Sequence, residues 1–230
     1  TTASNTSGSI TSSVRANTAY GQSIVSHTGT GSLSTVGHGL SQTPTFIITK
    51  KRSASSSWSV QHHEMMTSST GKLLLDSTAG VVASSTAYMF SATSSVFSPI
   101  YTNSGVTMIS YCFHDVANYS KFGSYTGNAT ADNAITTGFT PAFVMIKRTD
   151  ATGNWMIFDN VRNPTQPDGG TVKAIFANIS IAESDTYYGV QFTATGFNLQ
   201  YNDSSSTNAS GGTYIYAAFA DTREYAYWYD

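Results

Sequence analysis

The chain states one pattern twice. With Pro44 set on Pro141, Thr43-Pro44-Thr45-Phe46-Ile47-Ile48-Thr49-Lys50-Lys51 faces Thr140-Pro141-Ala142-Phe143-Val144-Met145-Ile146-Lys147-Arg148, and Trp58 faces Trp155, at an offset of 97 residues. Upstream, Ile24-Val25-Ser26-His27-Thr28-Gly29 matches Phe122-Gly123-Ser124-Tyr125-Thr126-Gly127. Downstream, Met108-Ile109-Ser110-Tyr111-Cys112-Phe113-His114-Asp115 matches Tyr214-Ile215-Tyr216-Ala217-Ala218-Phe219-Ala220-Asp221. The drift in offset is what insertions in loops between fixed strands produce. Self-similarity of this kind marks a unit built to be used in series. Repeat one spans about 23–118 and repeat two 119–222. Residues 1–22, rich in Ser, Thr, Asn and Gly, read as an N-terminal arm or linker, and 223–230 as an aromatic C-terminal tail.

The repeated segments are strands by their chemistry. The Phe46 and Phe143 runs are continuous β-branched and aromatic stretches, each opened by a proline whose missing N–H the ladder does not yet need. A polar turn (53–57, 149–154) then leads to Trp58-Ser59-Val60 or Trp155-Met156-Ile157-Phe158, which reads as a hairpin. Further strands are expected at 72–76 and 172–177, at 95–98 and 195–199, and at 108–113 and 213–219. In the last of these both alternate sets are apolar, so both faces should be covered. Short helical turns are expected only near 84–88 and 182–187. The fold class is all-β: a tandem or merged antiparallel β-sandwich, concanavalin-A-like or jelly-roll-like, made from the two repeats.

Only 10% of residues are charged and the net charge is -2, while serine and threonine supply more than a quarter of the chain. Such a surface lacks the basic track that nucleic acid requires. No apolar run reaches the length of a membrane-spanning helix. A chain of this size can bury a substantial core. The sole cysteine, Cys112, excludes an internal disulfide and aligns with Ala218, which makes it a small core residue.

Candidate chemistry is sparse. His62-His63-Glu64 suggests a metal, but neighbouring strand residues point to opposite faces, so a solvated loop is expected. His38, in Val36-Gly37-His38-Gly39-Leu40, reads as a turn residue with a satisfied imidazole. Glu64, Asp76, Asp115, Asp159, Glu183 and Asp185 show no paired spacing of the kind a glycosidase needs. Asp115 and Asp221 recur at a strand end, which suits turn capping. The Asn202-Asp203 and Asp150–Asn154 loops carry oxygens that could take calcium but are ordinary turn sequences. No catalytic residue, metal site or cofactor is expected. Trp58 and Trp155 are weak candidates for sugar stacking and stronger ones for core anchors. The tail residues Tyr225, Tyr227, Trp228 and Tyr229 are candidates for packing on a partner, because exposed aromatic clusters are costly.

Ile24-Val25-Ser26-His27-Thr28-Gly29-Thr30-Gly31, Val36-Gly37-His38-Gly39-Leu40, Pro44-Thr45-Phe46-Ile47-Ile48, Phe122-Gly123-Ser124-Tyr125-Thr126-Gly127-Asn128, Gly138-Phe139-Thr140-Pro141 and Gly212-Thr213-Tyr214-Ile215-Tyr216-Ala217-Ala218-Phe219-Ala220 together resemble a repeat domain of virion structural proteins. These are tail-fibre-like or virion-surface proteins of marine bacteriophages, especially those infecting cyanobacteria. The resemblance covers about residues 14–222. It implies a concanavalin-A-like sandwich and a non-enzymatic role on the particle, as a tail fibre or a capsid-surface decoration.

The expected function is therefore assembly and adhesion on a virion. The expected partners are other copies (a trimer is favoured), other virion proteins and a host-surface glycan, with no nucleic acid and no membrane insertion. A polysaccharide depolymerase on the same sandwich and a bacterial surface or filament adhesin are the alternatives.

Overall fold

The computed structural model describes residues 1–65, 71–83, 91–100, 103–163, 172–186, 189–200 and 206–221. The chain divides into two compact units, Thr1–Asp76 with Val81–Val116, and Ser77–Gly80 with Ala117–Asp230. The boundary after Val116 falls within two residues of the one the repeat implies.

In the first unit the strands are β1 (Ala3–Asn5), β2 (Ser12–Asn17), β3 (Gln22–Thr28), β4 (Val36–Gly37), β5 (Phe46–Lys51), β6 (Ser59–His62), β7 (Gly71–Leu74), β8 (Val82–Ala83), β9 (Val96–Phe97) and β10 (Thr107–Phe113). Eight of them form one antiparallel sheet in the order β1-β2-β3-β10-β5-β6-β7-β8, and β4 pairs with β9 in a small second sheet. The second unit holds β11 (Ser120–Thr126), β12 (Asn133–Thr136), β13 (Pro141–Arg148), β14 (Met156–Asp159), β15 (Val172–Phe176), β16 (Ser184–Thr186), β17 (Val190–Thr193), β18 (Gly196–Leu199) and β19 (Thr213–Ala220). Its large sheet runs β11-β19-β13-β14-β15-β16 and its small one β12-β18-β17.

From β3 onward the first large sheet has the order of the second, with β3 set on β11, β10 on β19 and β5 on β13, while β1 and β2 have no counterpart among the described residues. Residue-level register agrees. Leu75 N–H donates to the Trp58 carbonyl at 3.0 Å, and Ala177 N–H to the Trp155 carbonyl at 3.2 Å. Each large sheet packs its inner face on its own small sheet. Val14, Val25, Ile47 and Cys112 meet Val36 and Phe97 in the first unit. Val144, Ile146, Met156, Phe158, Tyr214 and Tyr216 meet Ile135, Val190, Phe197 and Leu199 in the second. These are two β-sandwiches in tandem, each with its own core.

The inner faces differ in polarity. In the first unit Thr49, Ser59, Gln61 and Ser110 are buried among apolar neighbours, and the Thr49 and Ser110 hydroxyls, facing each other across β5 and β10, are bonded at 2.9 Å. Pairing removes the cost of burying either alone. In the second unit the corresponding face is apolar and aromatic. Strand β19 is buried on both faces from Tyr214 to Ala218, as its two apolar sets require.

Several expectations need correcting. Residues 1–22 are not a free arm or linker: β1 and β2 lie within them, and β2 pairs with β3 from Ser13↔Ser26 to Asn17↔Gln22. Alternating burial of Ser12 and Val14 against exposed Ser13 and Arg15 drives that pairing. Where a helical turn is expected near 182–187, Ser184–Thr186 instead form β16, which pairs with β15. Residues 84–88 and the tail residues Tyr225, Tyr227, Trp228 and Tyr229 lie outside the described residues, as does the Asn202-Asp203 loop.

Candidate functional site on the outer face of the first sheet

Period-two alternation puts Ser23, Val25 and His27 of β3 inward and leaves Ile24 outward, 45% exposed. Cross-strand register then sets Arg15, Ile24, Tyr111 and Ile48 in one outward row, and Asn17, Gln22 and Phe113 in the next. Around these rows lies a cleft of about 620 Å³, lined by Arg15, Asn17, Thr18, Gln22, Ile24, Tyr111 and Phe113 among others. The β2–β3 turn closes one side of it. Gly21 makes that turn possible, since its φ of 60° lies in the left-handed region. Guanidinium, amide and hydroxyl groups thus stand beside exposed Ile24 and the half-buried rings of Tyr111 and Phe113, and no carboxylate is among the described residues that line the cleft.

Tyr111 continues into a second feature of the same face. Its ring stacks on Trp58 at 6.4 Å with 29° between planes, and the Lys50 ammonium lies over the Trp58 ring at 5.6 Å. Lys50 also donates to the Ser56 carbonyl. Trp58 is half-buried and its ring is engaged by these neighbours. Trp155 is only 1% exposed. Trp155 is therefore a core anchor and not a sugar platform. Tyr111, Ile24 and Phe113 are the apolar groups that the cleft presents instead.

The five histidines gather in the first unit. His38 is fully buried. Its Nδ1 accepts the Leu40 N–H at 3.1 Å, which leaves Nε2–H to donate to the Thr93 carbonyl at 3.1 Å. Burial lowers its pKa against the pull of the Thr93 carbonyl, and the neutral ring fits both bonds. The His62-His63 pair departs from the solvated loop expected of it. His62 is buried at the end of β6, and a 3-10 turn from His63 to Met65 swings the next ring over it, centroids 4.9 Å apart. His62 Nδ1 accepts the Glu64 N–H. No group of metal-binding side chains converges among the described residues. His27 is buried with neither ring nitrogen hydrogen-bonded, edge-on to Phe97 at 6.3 Å, and burial pushes its pKa down to about 4. Cys112 is buried too, and burial pushes its thiol pKa up, so it is a core residue as expected.

Three carboxylates in the second unit, Asp150, Asp159 and Glu183, are held by cations. Arg162 bridges Asp159 at 2.6 Å and Glu183 at 3.4 Å, and Lys173 reaches Glu183 at 3.4 Å. Partial burial raises the Asp159 pKa, but the Arg162 backbone N–H and guanidinium outweigh it and leave the carboxyl below its usual range. Arg148 grips Asp150 through two bonds of 3.0 and 3.1 Å and lowers its pKa, with the Thr213 N–H adding a third bond at 3.1 Å. A general acid needs a carboxyl held above its usual range. These two are held below it.

Sequence reading missed Arg15, Asn17 and Gln22 because their segment is rich in residues typical of linkers. The turn at Gly21 between Val14 and Ile24 hints at a hairpin, but it reveals neither the strands' partners nor the cleft, which needs Tyr111 beside Ile24.

No curated protein and no solved structure matches the chain. One family model matches residues 1–223, nearly its full length, and is described as a domain of unknown function, DUF7483. A tandem β-sandwich with an open cleft on its first sheet is thus the architecture of a member of the DUF7483 family, to which this chain belongs.

Proposed function

We propose that the chain is a non-enzymatic structural protein of a bacteriophage virion, a tail fibre or a capsid-surface decoration, that holds a host-surface saccharide in the cleft of its first sheet. The observation that carries this reading is the make-up of the cleft. Tyr111, Phe113 and Ile24 offer surface for the C–H face of a sugar, while Arg15, Asn17, Gln22 and Thr18 offer donors and acceptors for its hydroxyls. No acid–base pair stands beside them, so the cleft is equipped to hold a glycan and not to cleave it. The low charge of the chain supports the same reading, because contacts made by stacking and neutral hydrogen bonds are little screened by salt.

The test is binding of the purified chain to polysaccharide extracted from host envelopes, alongside a Tyr111→Ala variant and a reducing-end assay. Expected are saturable binding, a loss of about tenfold or more in Tyr111→Ala from one lost stacking contact, and no release of reducing ends. Cleavage of the polysaccharide, or binding that ignores the substitution, would overturn the reading.

A further inference from the structure

Lys147 is fully buried, and its ammonium donates to three backbone carbonyls: Thr78 at 3.1 Å, Arg148 at 2.9 Å and Gly153 at 2.9 Å. Three N–H donors meet three acceptors. The Thr78 carbonyl also accepts the Gly153 N–H at 2.9 Å. The segment Ser77–Gly80, which follows β7 in sequence, thus belongs to the second unit and covers the Lys147–Gly153 turn.

The repeat supplies a counterpart for each part of this arrangement. Lys50 and Ser56 lie 97 residues before Lys147 and Gly153, and the Lys50 ammonium donates to the Ser56 carbonyl just as Lys147 does to Gly153. Across the next strand pair, Ser59 faces Leu74 as Met156 faces Phe176. That register makes Ser180 the counterpart of Thr78, and Ile179 and Ile181 the counterparts of Ser77 and Ala79. The loop that follows β15 is outward: Ile179 is 38% and Ile181 57% exposed. The acceptor turn at Lys50 and Trp58 is only half-buried. So one half of the repeated contact is present in the first unit, and the other half is carried, apolar and exposed, by the second.

We propose that the loop Ala177–Ile181 of one copy docks on the Lys50–Ser56 turn of another, so that copies associate head to tail through the Ser180 carbonyl and the Lys50 ammonium. The occupant is a second copy because this chain itself carries both halves of the contact, in the same register as the contact already made by Thr78 and Lys147. Such a contact is heterologous. It leaves a free loop at one end and a free turn at the other, and continues into a chain of copies or closes as a ring. The surface lies at the turn between β5 and β6; it adjoins the saccharide cleft through the Trp58–Tyr111 stack but is made of other residues, and the inference does not depend on what that cleft holds.

The experiment is sedimentation velocity of the full chain over a range of concentrations, with two variants. Ile179→Asp with Ile181→Asp disables the loop and alters only exposed side chains; Lys50→Glu disables the turn. The wild type is expected to grow in size with concentration. Each variant alone should remain a monomer, and an equal mixture should give one-to-one dimers, because each variant keeps the half that the other lacks. A second measurement avoids dependence on Lys50 folding: Ser180→Cys and Ser55→Cys chains, both altered at exposed positions and mixed under oxidation, should cross-link to each other faster than either does to itself by about tenfold or more. A wild type that stays monomeric throughout, association that both variants leave intact, or cross-linking without preference for the mixed pair would overturn the proposal.

Discussion

Lys50 and Lys147 make the same bond in two different settings. Each ammonium donates to the carbonyl six residues on, Ser56 or Gly153, but Lys50 stays half-buried over Trp58 while Lys147 is sealed and takes two further carbonyls. Burial, together with the nearby charge of Arg148, lowers the Lys147 pKa to about 8 against a smaller opposing pull from Asp150. The group is therefore still an ammonium at neutral pH, with all three donors in use. Lys147→Met should strand the Arg148 and Gly153 carbonyls, take from the Thr78 carbonyl one of its two donors, and cost roughly 3–5 kcal/mol of stability, while Lys50→Met should cost about 1 kcal/mol. Denaturant titration of both variants at pH 7 checks the difference; equal losses would show that the buried cage contributes nothing.

His27 should make the protein acid-sensitive. Its folded pKa, about 4, lies below the ordinary value of 6.5. The unfolded chain thus takes up the proton first as pH falls. Stability from the neutral ring is complete above pH 6.5, declines between 6.5 and 4, and is gone below 4. The loss amounts to about 3 kcal/mol. His38, whose pKa is also lowered, acts in the same direction. Urea midpoints measured from pH 7.5 to 4 should fall steeply in the wild type and less in His27→Leu.

Gly123 is where the second repeat trades a side chain for a ring. The first repeat has Val25 at this position; here a Cβ would stand 2.6 Å from the Tyr216 hydroxyl and 2.8 Å from its Cζ. Tyr216 is 4% exposed and packs edge-on to Phe197 at 5.3 Å, so it has nowhere to go. Gly123→Val should destabilise by roughly 1–3 kcal/mol. The double variant Gly123→Val with Tyr216→Ser, which copies the Val25–Ser110 pairing of the first unit, should recover part of the loss in thermal melts.

Asn208 ties two loops of the second unit. Fully buried, its Oδ1 accepts from the Asn128 N–H at 3.0 Å and from Asn133 Nδ2 at 2.9 Å, and its Nδ2 donates to the Thr130 carbonyl at 2.8 Å. That network holds a bend in which Ala129 and Asp132 take φ of 55° and 66°. Asn208→Ala should cost roughly 2–4 kcal/mol, and amide hydrogen exchange should quicken at 128–133 first.

Much of the fold was legible because the repeat fixes which strands correspond. Once Phe46 and Phe143 are set together, β5, β6, β10 and their partners β13, β14, β19 follow from apolar runs of the right length. The first two strands were not legible. Ser12–Asn17 has one apolar residue pointing inward, Val14, and a hydroxyl, Ser12, whose burial is made tolerable by a bond to the Gly37 carbonyl 25 positions away. No local pattern shows that. The same absence hid the cleft, since Arg15 and Gln22 gain meaning only when Tyr111, nearly ninety residues on, is brought beside Ile24. The tryptophans were half legible: recurrence marked both as anchors, but the difference in their burial depends on what covers each turn.

Electron microscopy of intact bacteriophage particles, labelled with antibody raised against this chain, tests the proposed place on a virus particle. Label is expected at a regular position on every particle, on a fibre or on the capsid surface. Particles without label, with the antigen found instead on the bacterial surface, would contradict it.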